Sequence, residues 1–265
     1  MACFDTAFHA GLPPAAATYA LPLSWTRRFG LRRFGFHGLS HAYAAGRAAQ
    51  LVGGDDAGRL RVVTCHLGAG SSLAAVKGGA CVDTTMGFTP LEGLVMATRS
   101  GNVDPGLLIW LQQHGGLSLA EVSDGLEFRA GLAGLAGLPG GSGDMREVRL
   151  AAGRGDPQAR LALDVHAHRL RGQIAAMAAA MDGLDALVFT GGIGEHQPEA
   201  RAEAADGLSF LGVALDADRN AAAQPDCDVS APGAAVRTLV IAAREDIEIA
   251  RQSRAVLAQE GFAPA

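Results

Sequence analysis

The chain has 265 residues, 49% of them apolar and 18% charged, enough for a buried core in one large or two small domains and little ground for disorder. Its net charge is −5 and its basic runs stop at the pairs Arg27-Arg28 and Arg32-Arg33, which argues against a nucleic-acid partner, although single anionic ligands need only local donors. Cys3, Cys65, Cys81 and Cys227 form no C-x-x-C pair, and neither a long apolar span nor a signal-peptide pattern occurs, so a disulfide framework, a zinc site and a membrane partner are not expected and a cytoplasmic location is.

Residues 1–36 read as irregular, broken by Pro13, Pro14 and Pro22 and punctuated by Gly30 and Gly35. Ser40 is a candidate N-cap for an Ala-rich helix towards Val52, ended by a turn at Gly53-Gly54-Asp55-Asp56. Arg61–Leu67, Ser71–Val76 and Ala80–Thr85 are short apolar runs joined by glycine turns, the pattern of an antiparallel meander. Asp104-Pro105 and Ser118 open helices, and the Gly-rich stretch 129–143 reads as a loop. Asp156-Pro157 starts the longest helix, where Leu163, Ala167, Leu170, Ile174, Met177 and Met181 recur at 4-3-4-3-4 spacing as one apolar stripe. Asp185–Thr190 is a buried strand entering Gly191-Gly192, with a helix expected after Gly194. A strand over Ala235–Ala242 and a helix over Glu245–Gln259 complete an α/β arrangement.

Two glycine turns are candidate phosphate sites. In His66-Leu67-Gly68-Ala69-Gly70-Ser71-Ser72 the glycines allow close approach of backbone N–H groups to an anion and the serines add hydroxyls; the same segment also reads as an ordinary hairpin turn. In Phe189-Thr190-Gly191-Gly192-Ile193-Gly194-Glu195 a buried strand runs into glycines, as at nucleotide sites on strand C-terminal ends, or as in a structural turn. Neither G-x-G-x-x-G nor G-x-x-x-x-G-K-[ST] occurs, which weighs against a Rossmann dehydrogenase and a Walker-type ATPase. Asp5, His37, His41, Arg99 and Glu245 are polar residues in apolar surroundings that sequence alone does not bring together. His166 and His168, two apart on a helix, face different ways and are read as packing or surface residues, while Cys81 and Met86 are read as core.

In order, these segments resemble the acetate kinase family, of the actin/Hsp70/sugar-kinase fold group. Phe4-Asp5-Thr6-Ala7-Phe8-His9 resembles F-D-T-A-F-H, and Arg33 to His41 is similar to R-[YF]-G-F-H-G-x-S-H. Gly87 to Gly93 with Thr98 to Gly101 resembles G-[FM]-T-P-L-E-G…T-R-[SC]-G, followed by Gly143-Asp144-Met145-Arg146, Phe189 to Glu195 and Arg244-Glu245-Asp246. The resemblance implies an actin-like (ribonuclease H-like) ATPase domain with a mixed sheet and flanking helices. It implies that ATP passes its γ-phosphoryl group reversibly to a short-chain carboxylate, acetate or alternatively propionate or butyrate. It further implies that His66, Leu67, Gly68, Ala69 and Gly70 cradle the ATP phosphates. Asp144, Met145 and Arg146, with Gly191, Gly192, Ile193, Gly194 and Glu195, would hold the nucleoside side. Asp5 would be the active-site carboxylate, His37 and Arg99 would stabilise the transferring group, and Glu245 would position Mg²⁺ or Mn²⁺. Family likeness also points to a homodimer.

Three departures stand out: Ala69 replaces the Asn of H-L-G-N-G, Ala243-Arg244-Glu245-Asp246 replaces T-N-E-E, and nothing matches the family's N-terminal N-x-G-S-S-S-x-K-like phosphate loop or its substrate Arg. On that reading residues 1–58 are the end of a first domain and an inter-domain segment, 59–243 the nucleotide-binding second domain, and 244–265 a helix that packs on the first domain. The expectation is a kinase chain weak or inactive by itself; the alternatives are a non-catalytic nucleotide-binding remnant or one part of a split kinase.

Overall fold

The chain is built on one six-stranded sheet, ordered β3-β2-β1-β4-β6-β5. The structure is a computed structural model that describes residues 2–259, the side chains of 55–57 and 259 excepted. Met1 and residues 260–265, at the ends of the first and last expected units, lie outside the described residues.

Two short helices, α1 (Pro14–Ala17) and α2 (Leu23–Phe29), start directly after Pro13 and Pro22, so the N-terminal stretch is more ordered than its prolines suggest. Proline at a first helical turn loses no hydrogen bond. Next comes α3 (Gly38–Val52), followed by a 3₁₀ turn over Gly54–Arg59. The meander is β1 (Arg61–Leu67), β2 (Ser71–Lys77) and β3 (Ala80–Thr84), paired antiparallel with Thr64 opposite Ala74 and His66 opposite Ser72.

Helix α4 (Pro105–Gln113) is capped by Asp104, and α5 (Leu119–Phe128) by a Ser118–Glu121 capping box. The Gly-rich stretch is not a loop throughout: α6 (Gly131–Ala136) lies within it, with Leu132 and Ala136 buried against α7 (Met145–Gly153) and the long α8 (Pro157–Ala179). Burial of that short apolar face outweighs the low helix propensity of glycine. Strand β4 (Ala186–Thr190) passes straight into α9 (Gly191–His196), four residues earlier than expected. After α10 (Pro198–Ala205) and α11 (Ala217–Ala221), β5 (Cys227–Asp228) and β6 (Arg237–Val240) lead to α12 (Glu245–Gln259), which lies against α3.

Strands β1, β4 and β6 are parallel and central, and β4 is fully buried on both faces, as its unbroken apolar run requires. Strand alternation divides the core. Val63, Cys65, Leu67, Leu73 and Ala75 face α8, whose Leu170, Ile174 and Met177 belong to the predicted stripe; Val62, Ala74 and Val76 face α3. A buried side chain of this size contributes roughly 1.5–3 kcal/mol. On the α3 side, Thr64, His66 and Ser72 interrupt the apolar face with buried or half-buried polar groups. Among the described residues no helix is long and apolar enough to cross a membrane.

Candidate active site

The parallel pairing of β1 with β4 places His66 beside Thr190, so both glycine turns leave the sheet at the same end of its strands. The loop before α7 approaches from the other side, and between them lies a cleft of ≈ 470 Å³. Its walls are Gly68, Ala69, Gly143, Asp144, Met145, Arg146, Gly192 and Ile193, joined by Ala97, His196 and Gln197. Asp144 caps α7 by accepting from Arg146 N at 2.9 Å and also grips the Arg146 guanidinium, which holds the Asp144 carboxyl below the usual carboxylate range. Arg146 itself is exposed at the rim.

His66, Leu67, Gly70, Gly191, Gly194 and Glu195 do not border this cleft. Leu67 is core, and Gly191 (φ 77°) packs so that an added Cβ would lie 2.8 Å from the Leu67 carbonyl oxygen. One Glu195 carboxylate oxygen, Oε1, accepts from Gly191 N (3.0 Å) and from Ala243 N (2.9 Å), tying the β4–α9 turn to the segment before α12.

The remaining expected residues gather next to the cleft. Ser40 does not cap α3; the cap comes from Asp5, whose Oδ2 accepts from His37 N (2.6 Å) and whose backbone oxygen accepts from Gly38 N (2.9 Å). His37, at the cap position, is in the left-handed region (φ 56°), an unusual conformation for a non-glycine residue and one that aims its ring at the sheet. Its Nδ1 is 2.9 Å from Ser72 Oγ, and its ring stacks on His66 with centroids 4.3 Å apart. Arg99 donates from Nη1 to the Pro90 carbonyl (3.3 Å). Gly70 marks where the two meet: a Cβ there would lie 3.3 Å from His37 Nε2 and 3.4 Å from Arg99 Nη1.

Burial depresses the His37 pKa, the Asp5 charge opposes this and the Arg99 charge adds to it. Burial likewise pushes His66 down to about 3. At neutral pH both rings are uncharged, and Arg99 supplies the positive charge. Glu245 is shifted upward, by burial first and then by the Asp5 charge, so the two carboxylates sense each other, and no protein hydrogen bond contributes to that shift. Among the described residues no cluster of three or more His, Cys, Asp or Glu forms a metal cage. The Asp5 and Glu245 carboxylates, both part-exposed, nevertheless suit Mg²⁺, which keeps waters and needs only one or two protein carboxylates.

The model of the acetokinase family matches residues 1–251. The chain belongs to the acetokinase family. It is 51% identical over 252 residues to an acetate kinase of Gloeobacter violaceus and 50% identical over 254 residues to one of Leifsonia xyli, covering 95% and 96% of this chain. Among solved structures it is similar to Porphyromonas gingivalis acetate kinase (38% identity, TM-score 0.91, 96% of this chain) and to a propionate kinase from Francisella tularensis (37%, 0.86, 94%). It spans 61% and 63% of those two acetate kinase sequences and 63% and 62% of the two structures' chains. The mixed sheet with flanking helices is accordingly the actin-like fold in this acetokinase-family chain. Ala97, His196 and Gln197 complete the cleft wall without having been expected there, although each adjoins a recognised motif: Ala97 precedes Thr98 to Gly101, and His196 and Gln197 follow G-G-I-G-E.

Proposed function

We propose that this chain carries the nucleotide-binding half of an ATP-dependent kinase that phosphorylates a short-chain carboxylate reversibly, with acetate as the acceptor. The observation that carries this reading is the meeting of His37 and Arg99 at Gly70, beside a cleft of nucleotide size formed by three glycine-bearing segments. Gly68, Ala69 and Gly70 would face the phosphates, with Asp144 to Arg146 and Gly192 to Ile193 on the nucleoside side. The acceptor carboxylate is already ionised at neutral pH, so the protein needs to align two anions and spread the charge that develops on the transferring group, not to remove a proton. Arg99 supplies a fixed cation and His37 a neutral hydrogen-bonding ring at that point. Asp5 and Glu245 would hold Mg²⁺ or Mn²⁺, which when bound neutralises phosphate charge. Propionate is the second acceptor, favoured by the 37% identity to a propionate kinase structure.

The wider assignment follows the same reading. Residues 59–243 would be the nucleotide domain, 1–58 the approach from a first domain, and the exposed Ile249, Val256 and Leu257 of the last helix would meet that domain. A cytoplasmic homodimer is proposed, with Ile109, Trp110, Leu119 and Phe128 as exposed apolar residues of α4 and α5 available for contact.

The test is twofold: calorimetric titration of Mg–ATP into the purified chain, and trapping of acyl phosphate as its hydroxamate with acetate or propionate. Saturable binding with acyl phosphate formation supports the kinase. Binding with no acyl phosphate in any acceptor supports a nucleotide-binding remnant or a split enzyme, and absence of binding overturns the assignment of the cleft.

A further inference from the structure

Behind His37, away from the cleft, a line of fully buried polar side chains crosses from α3 to the sheet. Ser72 Oγ lies 2.9 Å from His37 Nδ1 and 2.7 Å from His41 Nε2, and Thr64 Oγ1 lies 2.8 Å from His41 Nδ1. Thr64, His41 and Ser72 all have essentially no exposed surface, and none borders the cleft. Strand pairing sets them side by side, because Thr64 and Ser72 point to the same face of β1 and β2.

A serine hydroxyl has one proton, so Ser72 donates to one ring nitrogen and accepts from the other. The whole line therefore runs in one direction or its reverse. In one direction, Thr64 donates to His41 Nδ1, His41 Nε2–H donates to Ser72, and Ser72 donates to His37 Nδ1. The proton of the uncharged His37 ring is then on Nε2, beside Gly70 and Arg99. In the reverse direction Thr64 must send its proton to the Ala74 carbonyl, at 3.4 Å, and His37 Nε2 becomes a bare acceptor facing an anion site. His41 and Thr64 are hydrogen-bonded in either direction, so the two differ in where the Thr64 proton goes: to His41 Nδ1 at 2.8 Å, or to the Ala74 carbonyl at 3.4 Å, the edge of a useful hydrogen bond.

We propose that Thr64, His41 and Ser72 are positioning residues that fix the His37 proton on Nε2, turning this ring into a hydrogen-bond donor aimed at the transferring phosphoryl oxygens. The phosphoryl part rests on the kinase reading above; the proton placement does not.

The experiment is long-range ¹H–¹⁵N NMR on the ¹⁵N-labelled chain at pH 8, with the His37 ring assigned by loss of its signals in His37→Gln. The expected wild-type pattern is a bare Nδ1 and a protonated Nε2. Ser72→Ala is expected to shift the ring to a mixture of tautomers, and Ser72→Thr to restore the pattern. Thr64→Val, which keeps shape and removes the proton source, should produce the same shift if Ser72→Ala fails to fold. A protonated Nδ1 in the wild-type chain, or an unchanged tautomer in the folded Ser72→Ala or Thr64→Val chain, overturns the proposal. Where acyl phosphate formation is measurable, Ser72→Ala should lower kcat by about ten- to a hundredfold with the KM for ATP within threefold, since only a transition-state donor is weakened. Tautomer control with no such kinetic split would leave the proton placement standing and remove the phosphoryl role.

Discussion

His37 and His66 lie face to face, their ring centroids 4.3 Å apart and their planes 24° from parallel. A stacked, buried pair of imidazoles carries at most one charge at acceptable cost, and here both are driven towards the neutral form by loss of water.

The same burial predicts acid sensitivity. His9 and His166 are pushed down to about 4 and His66 to about 3, against 6.5 for a free ring, in each case chiefly by desolvation. Between pH 6.5 and those values the unfolded chain binds protons that the folded chain refuses. Stability is therefore complete above pH 6.5 and falls as pH drops, by up to about 1.4 kcal/mol per pH unit for each ring. Urea midpoints at pH 8, 7, 6 and 5 should be level between the first two and decline across the last two. His166→Gln should flatten that decline; a midpoint independent of pH down to 5 would contradict the neutral burial of these rings.

Arg99 is the positive group at the point where His37 and Gly70 converge. Arg99→Ala should reduce acyl phosphate formation by at least about a hundredfold while leaving Mg–ATP affinity within a few-fold, and Arg99→Lys should recover little, because an ammonium lacks the planar fork. Parallel calorimetry and hydroxamate assays on the unaltered and altered chains check this.

Two glycines separate function from folding. Gly70→Ala places a methyl group against the tips of two side chains, a contact they can absorb, so the protein should fold with normal stability and lose activity. Gly191→Ala combines positive φ with a backbone clash at 2.8 Å and should cost about 1–3 kcal/mol of stability. Thermal unfolding of the two variants side by side distinguishes them.

Glu245→Gln keeps the shape of the side chain and removes the carboxylate charge that senses Asp5. The Mg²⁺ concentration needed for half-maximal activity should rise by about tenfold or more, with metal-free ATP binding unchanged. A Mg²⁺ titration of both chains reads this directly.

Much of the fold was legible because its signals are local. Asp104, Ser118 and Asp156 cap helices through their own neighbours, and the stripe from Leu163 to Met181 follows helical period onto the core. What was not legible depends on distance along the chain. Ser40 looked like a helix cap because it has the right chemistry in the right place. The cap is instead Asp5, more than thirty residues earlier, and Ser40 Oγ turns to His66 Nδ1 at 2.8 Å. Residues 129–143 looked like a loop by glycine content, yet Leu132 and Ala136 are buried by α7 and α8, a fact that belongs to the neighbours. At the site, His37, Arg99 and Gly70 were each marked by the family motifs, but their meeting required the sheet. Ser72, Thr64 and His41 as one line follow only from the β1–β2 register.

Glu195 holds Gly191 and Ala243 with a single oxygen atom. Those two amides belong to different segments: one opens the turn between β4 and α9, the other precedes the helix that carries Glu245. The turn and the segment before the helix are thus joined through one atom and not only through the chain between them. The carboxylate acts as a common pivot, and the spacing between the β4–α9 turn and the start of α12 is set by one joint, not by two separately adjusted supports.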